Sequence, residues 1–327
     1  MKSKLSVLAL AVGVAFSSSA FAADQSTVIQ NGSGNNTSVT QSGNAASNIG
    51  YVKVTEDGNS NNTTVTQTGN ASFSSAVVTD NPGANNNVSS IAQSGNIGAT
   101  GNIQNWGSSN SAGIAQSGVT GVYGVVYQNG SANTGSINQS SGVDQSATIN
   151  QNFYGQGGTY NSASAVQTGN TQSVTIEQGP GSYNIAATNQ SNLNNSASVM
   201  QNGAVNQAYV TQVGYGIANT ADVIQGGDGN YASLNQNGSE LSASLSQSGN
   251  SNASTIGQAG ASNDALVTQS GSANTANISQ YGSGGLNEVS LLQSGTSNLA
   301  NISQSGQNFL SSNTQAGNNN MLSVVQN

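Results

Sequence analysis

The chain has 327 residues, of which only 4% are charged, and it contains no His and no Cys. It has 49 Asn and 30 Gln, and its 11 Asp and Glu stand against only three basic residues, all of them Lys. This composition excludes a Ser-His-Asp triad, a Cys nucleophile, a zinc cluster and a disulfide. Three Lys are too few for an electrostatic nucleic-acid interface. We therefore expect no enzymatic activity, no cofactor, no metal and no nucleic-acid partner.

Residues 1–22 have the three parts of a secretory signal peptide. Lys2 and Lys4 form a positive start, residues 5–16 are apolar, and Ala20-Phe21-Ala22 is a small-x-small cleavage site. The apolar part is shorter than the ~20 residues of a membrane-spanning helix. Cleavage after Ala22 would leave an exported chain, residues 23–327, with one Lys, 11 acidic residues and a net charge of −10.

A repeat of 11 residues runs through the remainder of the chain. The triplet Gln-x-Gly recurs, as in Gln201-Asn202-Gly203, and its Gln, or the residue that replaces it, marks 26 units. Of the 25 intervals between markers, 15 are 11 residues long, a regularity that chance does not produce. We take Gln104 as the marker of the seventh unit, while Glu56 and Asp80 replace Gln in the third and fifth.

Each unit ends with Asn-x-Ala-x-Val-x-Gln, as in Asn206-Ala208-Val210-Gln212. These residues recur at every second position, which is the period of a strand and places their side chains on one face. The positions between them are mostly polar, as a solvated face requires. The pattern predicts one β-strand in each unit, with the Asn, Ala, Val and Gln side chains pointing inward.

Glycines predict the turns between these strands. Gly stands two residues after the marker in 19 of the 25 units that have such a position. Glycine adopts the positive φ of a tight turn at no steric cost. The predicted turn glycines of the regular part are Gly203, Gly214, Gly238, Gly249, Gly260 and Gly271.

A single unit is too small to bury its own apolar face, so we expect neighbouring units to stack. Two facing units form a strand-turn-strand coil, and 26 units form 13 coils with two facing parallel sheets. The sequence therefore predicts an all-β protein, an amyloid-like β-solenoid over residues 23–327. At ~4.8 Å per strand the stack would be on the order of 60 Å long.

The inward amides predict ladders along the stack. A buried amide is costly when it is unpaired, but in a parallel, in-register stack each amide can donate to one coil and accept from the other. The predicted ladder residues of the regular part are Asn206, Gln212, Asn219, Gln225, Asn230, Gln236, Asn263, Gln269, Asn274, Gln280, Asn298 and Gln304.

Glu56 and Asp80 are candidate charged gatekeepers. Both replace inward Gln in odd-numbered units, so they should lie in adjacent coils of one sheet. Carboxylates one strand apart repel each other and favour sharing a proton. We hypothesise that they slow the ordering of the amino-terminal coils at neutral pH relative to acid. A cation bound between them and simple decay of the repeat are the alternatives.

The pattern Gln-x-Gly-x-x-Asn-x-Ala-x-x-x-Gln, as in residues 201–212, resembles the curlin repeat of curli fibre subunits. The resemblance covers essentially all of residues 23–327. It implies an exported amyloid subunit that passes through a dedicated outer-membrane channel and polymerises at the cell surface in a biofilm matrix, where a minor nucleator subunit templates the first copies.

The chain departs from the curlin family pattern in two ways. It has many more repeats than the familiar subunits, and Asp24 and Ser26 already begin a predicted strand where those subunits carry a polar targeting segment. The usual curli channel is therefore a weaker expectation than the fibre fold. The uncharged, regular last coil favours a fibre subunit over a nucleator with a basic end.

Unblocked ends would make such a solenoid polymerise. The repeat starts just after the cleavage site and continues to Asn327, which leaves no room for polar caps. Head-to-tail stacking of the last coil on the first coil of another copy does not close, so it produces a filament. The predicted stacking ends are Val28, Gln30, Val39, Gln41, Asn320, Leu322, Val324 and Gln326.

Other solenoid functions fit the sequence less well. A monomeric ice-binding or carbohydrate-binding module, or an adhesin, would need a regular outward array, whereas the position before each marker varies, as in Thr40, Ala92 and Met200. A polysaccharide-cleaving solenoid would need a charged cluster, and the chain has no Arg. Outward tyrosines such as Tyr209 and Tyr231 are either scattered surface residues or contacts for lateral packing and adhesion.

Overall fold

The structure is a computed structural model that describes residues 24–42, 50–69, 72–152, 158–214, 217–282 and 285–327. These residues form strands and turns and contain no helix. The predicted signal peptide lies outside the described residues. The predicted solenoid is confirmed: 26 strands, one from each repeat unit, form two parallel sheets of 13 strands each.

Odd-numbered strands form one sheet, in chain order. They are β1 Gln25–Asn31, β3 Tyr51–Asp57, β5 Ser75–Asp80, β7 Thr100–Asn105, β9 Tyr123–Gln128, β11 Ser146–Gln151, β13 Ser173–Gln178, β15 Ser196–Asn202, β17 Thr220–Gly226, β19 Ser242–Asn250, β21 Asp264–Ser272, β23 Glu288–Thr296 and β25 Leu310–Asn318.

Even-numbered strands form the facing sheet. They are β2 Asn36–Ser42, β4 Asn62–Thr68, β6 Val88–Ser94, β8 Ser111–Thr120, β10 Thr134–Val143, β12 Ser162–Asn170, β14 Ile185–Leu193, β16 Gln207–Val213, β18 Tyr231–Ser239, β20 Ala253–Ala261, β22 Thr275–Gly282, β24 Leu299–Ser305 and β26 Met321–Gln326. Consecutive strands thus alternate between the two sheets, so each pair of strands makes one coil.

The stack keeps equivalent repeat positions in register. Strand β16 pairs with β18 so that Ala208 lies beside Ala232 and Gln212 beside Gln236. Alternate residues of each strand are buried, as in the regular pattern of β16 and β17. In-register stacking of like on like is the arrangement of cross-β structures.

Aliphatic side chains fill the thin space between the sheets. The larger ones stand two residues before the inward amide, and Ile91, Ile149 and Leu234 are among the fully buried examples. The smaller ones, such as Ala208 and Ala232, stand four residues before it. One contiguous core cluster runs along the stack, with Val28, Val39, Leu322 and Val324 partly buried against its two ends.

Each regular turn uses two left-handed backbone positions. The first is the predicted glycine, with φ near 100° at Gly203, Gly214, Gly249, Gly260 and Gly271. Gly238 differs from the prediction because its φ is not positive; an added Cβ there would instead collide with the backbone of Gly260. The second position is the non-glycine residue that precedes the inward Asn, as in Val205 and Ala218, and the sequence pattern did not reveal it.

Candidate functional site

The inward Gln side chains of the even-numbered sheet form an unbroken ladder. Each Nε2 donates to the Oε1 of the Gln two strands further along, at 2.7–3.2 Å, in all 12 steps. The rungs are Gln41, Gln67, Gln93, Gln116, Gln139, Gln167, Gln190, Gln212, Gln236, Gln258, Gln280, Gln304 and Gln326. All donors point toward the carboxy-terminal end, so the ladder is polar.

The same amides also join the two sheets. The second N–H of Gln212 donates to the carbonyl of Ser196 in β15 at 3.0 Å, and Gln225 donates to the carbonyl of Gln207 in β16 at 2.9 Å. Each Gln between the two ends of the even-numbered ladder therefore uses both N–H groups and its oxygen. Satisfying every polar atom is what allows an amide to be fully buried.

The inward Asn side chains pair mainly through the backbone. The Oδ1 of Asn206 accepts the backbone N–H of Asn230 at 3.0 Å, and its Nδ2 donates to the turn carbonyl of Gly227 at 2.7 Å. Asn219 and Asn263 are equally buried in the corresponding row of the odd-numbered sheet, where Leu241 stands between them and donates its backbone N–H to Asn219. Direct Asn-to-Asn side-chain bonds occur near the carboxy-terminal end, where Asn298 donates to Asn274 at 3.0 Å. The inward Asn side chains thus bond mainly to backbone groups of the neighbouring coil and not to one another.

The odd-numbered sheet has an interrupted ladder. From Gln128 to Gln315 it repeats the pattern of the facing sheet, at 2.7–2.9 Å in each step. The predicted rungs Gln225 and Gln269 belong to this part. The ladder breaks on the amino-terminal side of Gln128.

The seventh rung is Asn105 and not Gln104, which corrects the marker taken from the sequence. Asp80 pairs with Asn105 in the sheet register, and Asn105 is fully buried, whereas Gln104 points outward. The physical reason is the core: this register places Ile103 between Val78 and Val126. An aliphatic side chain fixes the phase of the strand because its exposure would cost ~1.5–3 kcal/mol.

Glu56 and Asp80 lie on adjacent rungs of this sheet, and both are fully buried. Gln30 donates to Oε2 of Glu56 at 2.8 Å from one side, and Asn105 donates to Oδ1 of Asp80 at 2.7 Å from the other. Oε1 of Glu56 and Oδ2 of Asp80 have no hydrogen-bond partner. Two amide donors thus point toward a carboxyl pair from opposite directions.

This arrangement reverses the polarity of the ladder. Because Asn105 donates backward to Asp80, no donor reaches the Oε1 of Gln128, which is buried without a partner. The Oδ1 of Asn105 is also unpartnered. Four successive rungs of the odd-numbered sheet, from Glu56 to Gln128, therefore each hold a buried oxygen without a hydrogen-bond partner.

The surroundings of Asp80 favour its protonated form. Burial raises the pKa of Asp80 to about 6; the hydrogen bond from Asn105 opposes this rise and the charge of Glu56 adds to it. A proton on Asp80 would remove one of the two buried negative charges.

The predicted stacking ends lie at the two ends of the stack. Gln30 and Gln41 stand on the first rungs, and among the described residues no side chain donates to their Oε1 atoms. Gln326 stands on the last rung, where its Nε2 donates only to the carbonyl of Leu310. Asn320, Leu322 and Val324 complete the inward row of that strand end.

The described residues hold no group of three or more His, Cys, Asp or Glu side chains that could bind a metal ion. They also include no helix long and apolar enough to cross a membrane. The candidate site in the described residues is the pair of amide ladders, whose first and last rungs lie at the two ends of the stack.

Comparison with known families identifies the repeat. A family model described as the curlin associated repeat matches residues 194–225, 216–249, 240–271, 249–282 and 271–306. These overlapping matches cover the most regular part of the stack, from the end of the turn before β15 to the turn after β24. No curated protein matches the chain significantly. The resemblance drawn from the sequence is confirmed for this part of the chain: residues 194–306 consist of curlin associated repeats.

Proposed function

We propose that the protein is the structural subunit of extracellular, curli-like amyloid fibres that assemble head to tail. The fibres would serve surface adhesion, cell aggregation and the biofilm matrix. The repeat family and the solenoid support a structural role. The observation that most directly supports this proposal is that the two ends of the stack are complementary.

Among the described residues, no side chain uses the Oε1 acceptors of the first rungs, and each last rung keeps one side-chain N–H that no other residue accepts. Stacking the last coil of one copy on the first coil of another would let Gln315 donate to Gln30 and Gln326 donate to Gln41. All donors of the continuous ladders point toward the carboxy-terminal end, so only this head-to-tail direction matches. Each new bond would contribute ~0.5–1.5 kcal/mol, and leaving a desolvated partner unpaired would cost ~1–3 kcal/mol.

The number of strands also suits head-to-tail growth. Because the count of 26 is even, β1 of an incoming copy continues the sheet of β25, and β2 continues the sheet of β26. Val39 would then stack on Val324, and both are only partly buried in the single chain. Such a contact leaves the same open ends after each addition, so it produces a filament.

Export by the signal peptide, passage through an outer-membrane secretion channel and templating by a nucleator subunit are parts of the proposal that rest on the sequence and the family resemblance. The regular, uncharged strand β26 favours the fibre subunit itself over the nucleator.

Elongation kinetics of purified residues 23–327 test the proposal. Val28→Asp places a charge on the inward face of β1, where it stays half exposed in a single chain and becomes buried in a junction. We expect at least a tenfold loss of seeded elongation rate, since each ~1.4 kcal/mol corresponds to tenfold. Thr27→Asp, one residue earlier and outward, is the matched control and should elongate like the wild type.

Equal elongation of both variants would contradict head-to-tail stacking. A wild-type chain that stays monomeric at high concentration would instead favour the alternative, a monomeric binding module or adhesin.

A further inference from the structure

Charge is distributed unequally between the two sheets. Eight charged residues lie within the 26 strands, and all of them belong to the odd-numbered sheet. They are Lys53, Glu56, Asp57, Asp80, Glu177, Asp222, Asp264 and Glu288. The 13 strands of the even-numbered sheet contain no charged residue, although the chain carries a strong net negative charge.

The outer face of the even-numbered sheet also carries mostly short side chains. Its middle row is made of small or short polar side chains, with Tyr209 as the one large residue. The row consists of Ser38, Thr64, Ser90, Gly113, Ser136, Ser164, Ala187, Tyr209, Ser233, Thr255, Asn277, Asn301 and Ser323. Short side chains on a flat sheet are what two sheets need to approach to ~10 Å and interdigitate.

The same face has one ridge and one groove. Tyr209 and Tyr231 pack against each other at 6.0 Å between ring centroids on strands β16 and β18. Beside them, Gly257 opens a shallow groove of about 370 Å³, lined by Thr255, Asn277, Asn301 and neighbouring residues of strands β20 to β26. A protrusion and a recess on one surface are what a self-complementary contact requires.

We propose that the outer face of the even-numbered sheet is a lateral interface on which a second copy of this chain packs through the same face. Two copies with a net charge of −10 repel each other, and this is the face on which no strand residue of one copy brings a charge against the other. Depletion of charge at the contact is the compositional mark of protein interfaces.

The available area is sufficient. A stack on the order of 60 Å long, with strands spanning ~20 Å, offers roughly 1,200 Å² per copy. A stable interface of standard size needs ~800 Å² per partner. The charged outer face of the odd-numbered sheet then points outward on both copies, so pairing stops at two stacks. This lateral contact goes beyond head-to-tail growth and does not require it.

Mass per unit length of the fibres, from dark-field electron microscopy, tests this interface. We expect two chains per solenoid length for the wild type. The variant Ser164→Lys, Ser233→Lys places two separated cations in the middle row of the even-numbered face, where both serines are half buried. It should form fibres with half the mass per length, even though added Lys lowers the net charge and so weakens general repulsion.

The matched control is the double variant Thr148→Lys, Ser290→Lys. Its two positions are half buried in the middle outward row of the odd-numbered sheet. It should keep the wild-type mass per length. A wild-type fibre with one chain per solenoid length, or an even-face variant that stays double, overturns the inference.

A chain that forms no fibres still tests the interface in solution, because a single solenoid carries the whole face. Sedimentation of the freshly prepared chain should then give a dimer for the wild type and the control, and a monomer for the even-face variant. A monomeric wild type that binds crystalline cellulose through this face would assign the face to a polysaccharide and contradict the inference.

Discussion

Gln236 illustrates what one inward amide contributes. It accepts from Gln212, donates to Gln258, and donates across the core to the carbonyl of Thr220, at 2.8–2.9 Å in each case. Replacing it removes one residue but leaves three buried polar groups without a partner. Most of the stability lost on replacing Gln236 would therefore come from the buried groups of its neighbours that are left unpaired.

We expect Gln236→Leu to lower the free energy of unfolding by about 2–4 kcal/mol, because leaving buried groups unpaired costs ~1–3 kcal/mol each and repacking recovers part. Urea denaturation of the soluble chain measures this value. Asn235→Leu, the exposed neighbour on the same strand, is the control and should change stability by less than about 0.5 kcal/mol. Equal effects of the two variants would show that the ladder bonds add no stability.

The carboxyl pair makes the stability of the amino-terminal coils depend on pH. The pKa of Asp80 is raised from 3.8 to about 6, so the folded chain holds a proton that the unfolded chain releases between these values. The contribution of this proton to the stability of coils β3 to β8 is therefore fully present below about pH 4. It is lost as the pH rises through 6, which lowers the free energy of unfolding by up to about 3 kcal/mol.

Hydrogen exchange checks this prediction. At pH 7.5, Asp80→Asn should raise the protection of β3, β5 and β7 by at least tenfold over the wild type, and at pH 4.5 the two proteins should match. Asp222→Asn, an outward acid of the same sheet, should leave both values unchanged. If the protection of the Asp80→Asn variant depended on pH as it does in the wild type, the carboxyl pair would not be the cause of that dependence.

At the scale of the strand and turn, strand β20 shows two separate roles of glycine. In β20, Gly260 has φ near 100° and lies against the backbone of Gly282. Gly257 has an ordinary strand conformation, and a Cβ added there would make only ordinary van der Waals contacts, at 3.7 Å from the Tyr281 hydroxyl. Gly260→Ala should lower the free energy of unfolding by about 1–3 kcal/mol. Gly257→Ala should leave it within about 0.5 kcal/mol of the wild type or raise it. Thermal denaturation of the two variants distinguishes these cases, and a harmless Gly260→Ala would contradict the assigned turn geometry.

Much of this element structure could be predicted from the sequence, because inward and outward positions alternate with the period of a strand. The Gln rows follow directly, since only an in-register stack can satisfy buried amides. The marker in β7 was wrong because residue type suggested Gln104, while packing of Ile103 decides the phase.

Other features depend on geometry that a residue pattern does not contain. Asn is one methylene shorter than Gln, so its row pairs through backbone groups, as Asn206 does. The left-handed position at Val205 carries no glycine to mark it. The reversed ladder at Asn105 arises from the direction in which one amide donates, which composition cannot show.

At the scale of the whole molecule, the two ladders and the two faces have separate roles in the proposed assembly. The ladders would give growth a direction along the stack, and the unequal charge of the faces would limit association across it. Both properties result from repetition, because a feature that recurs on 13 strands becomes a continuous surface.

Deletions at the carboxy-terminal end test the importance of a complete coil. Removing residues 308–327 takes away β25 and β26 together and leaves Gln293 and Gln304 as the last rungs, so elongation should stay within about threefold of the wild type. Removing residues 320–327 takes away β26 alone and leaves the two sheets at unequal heights. That smaller deletion should slow seeded elongation by roughly tenfold, since one ladder junction costs ~1.4 kcal/mol. A milder effect of the smaller deletion would contradict stacking by whole coils.

Fibre diffraction from self-assembled residues 23–327, followed by electron cryomicroscopy of the same fibres, would show whether the chains stack head to tail as β-solenoids. We expect a meridional reflection at ~4.7 Å, an equatorial reflection at ~10 Å, and a subunit repeat on the order of 60 Å with both sheets continuous across the junction. Chains that remain soluble at high concentration, or fibres whose sheets break between subunits, would contradict it.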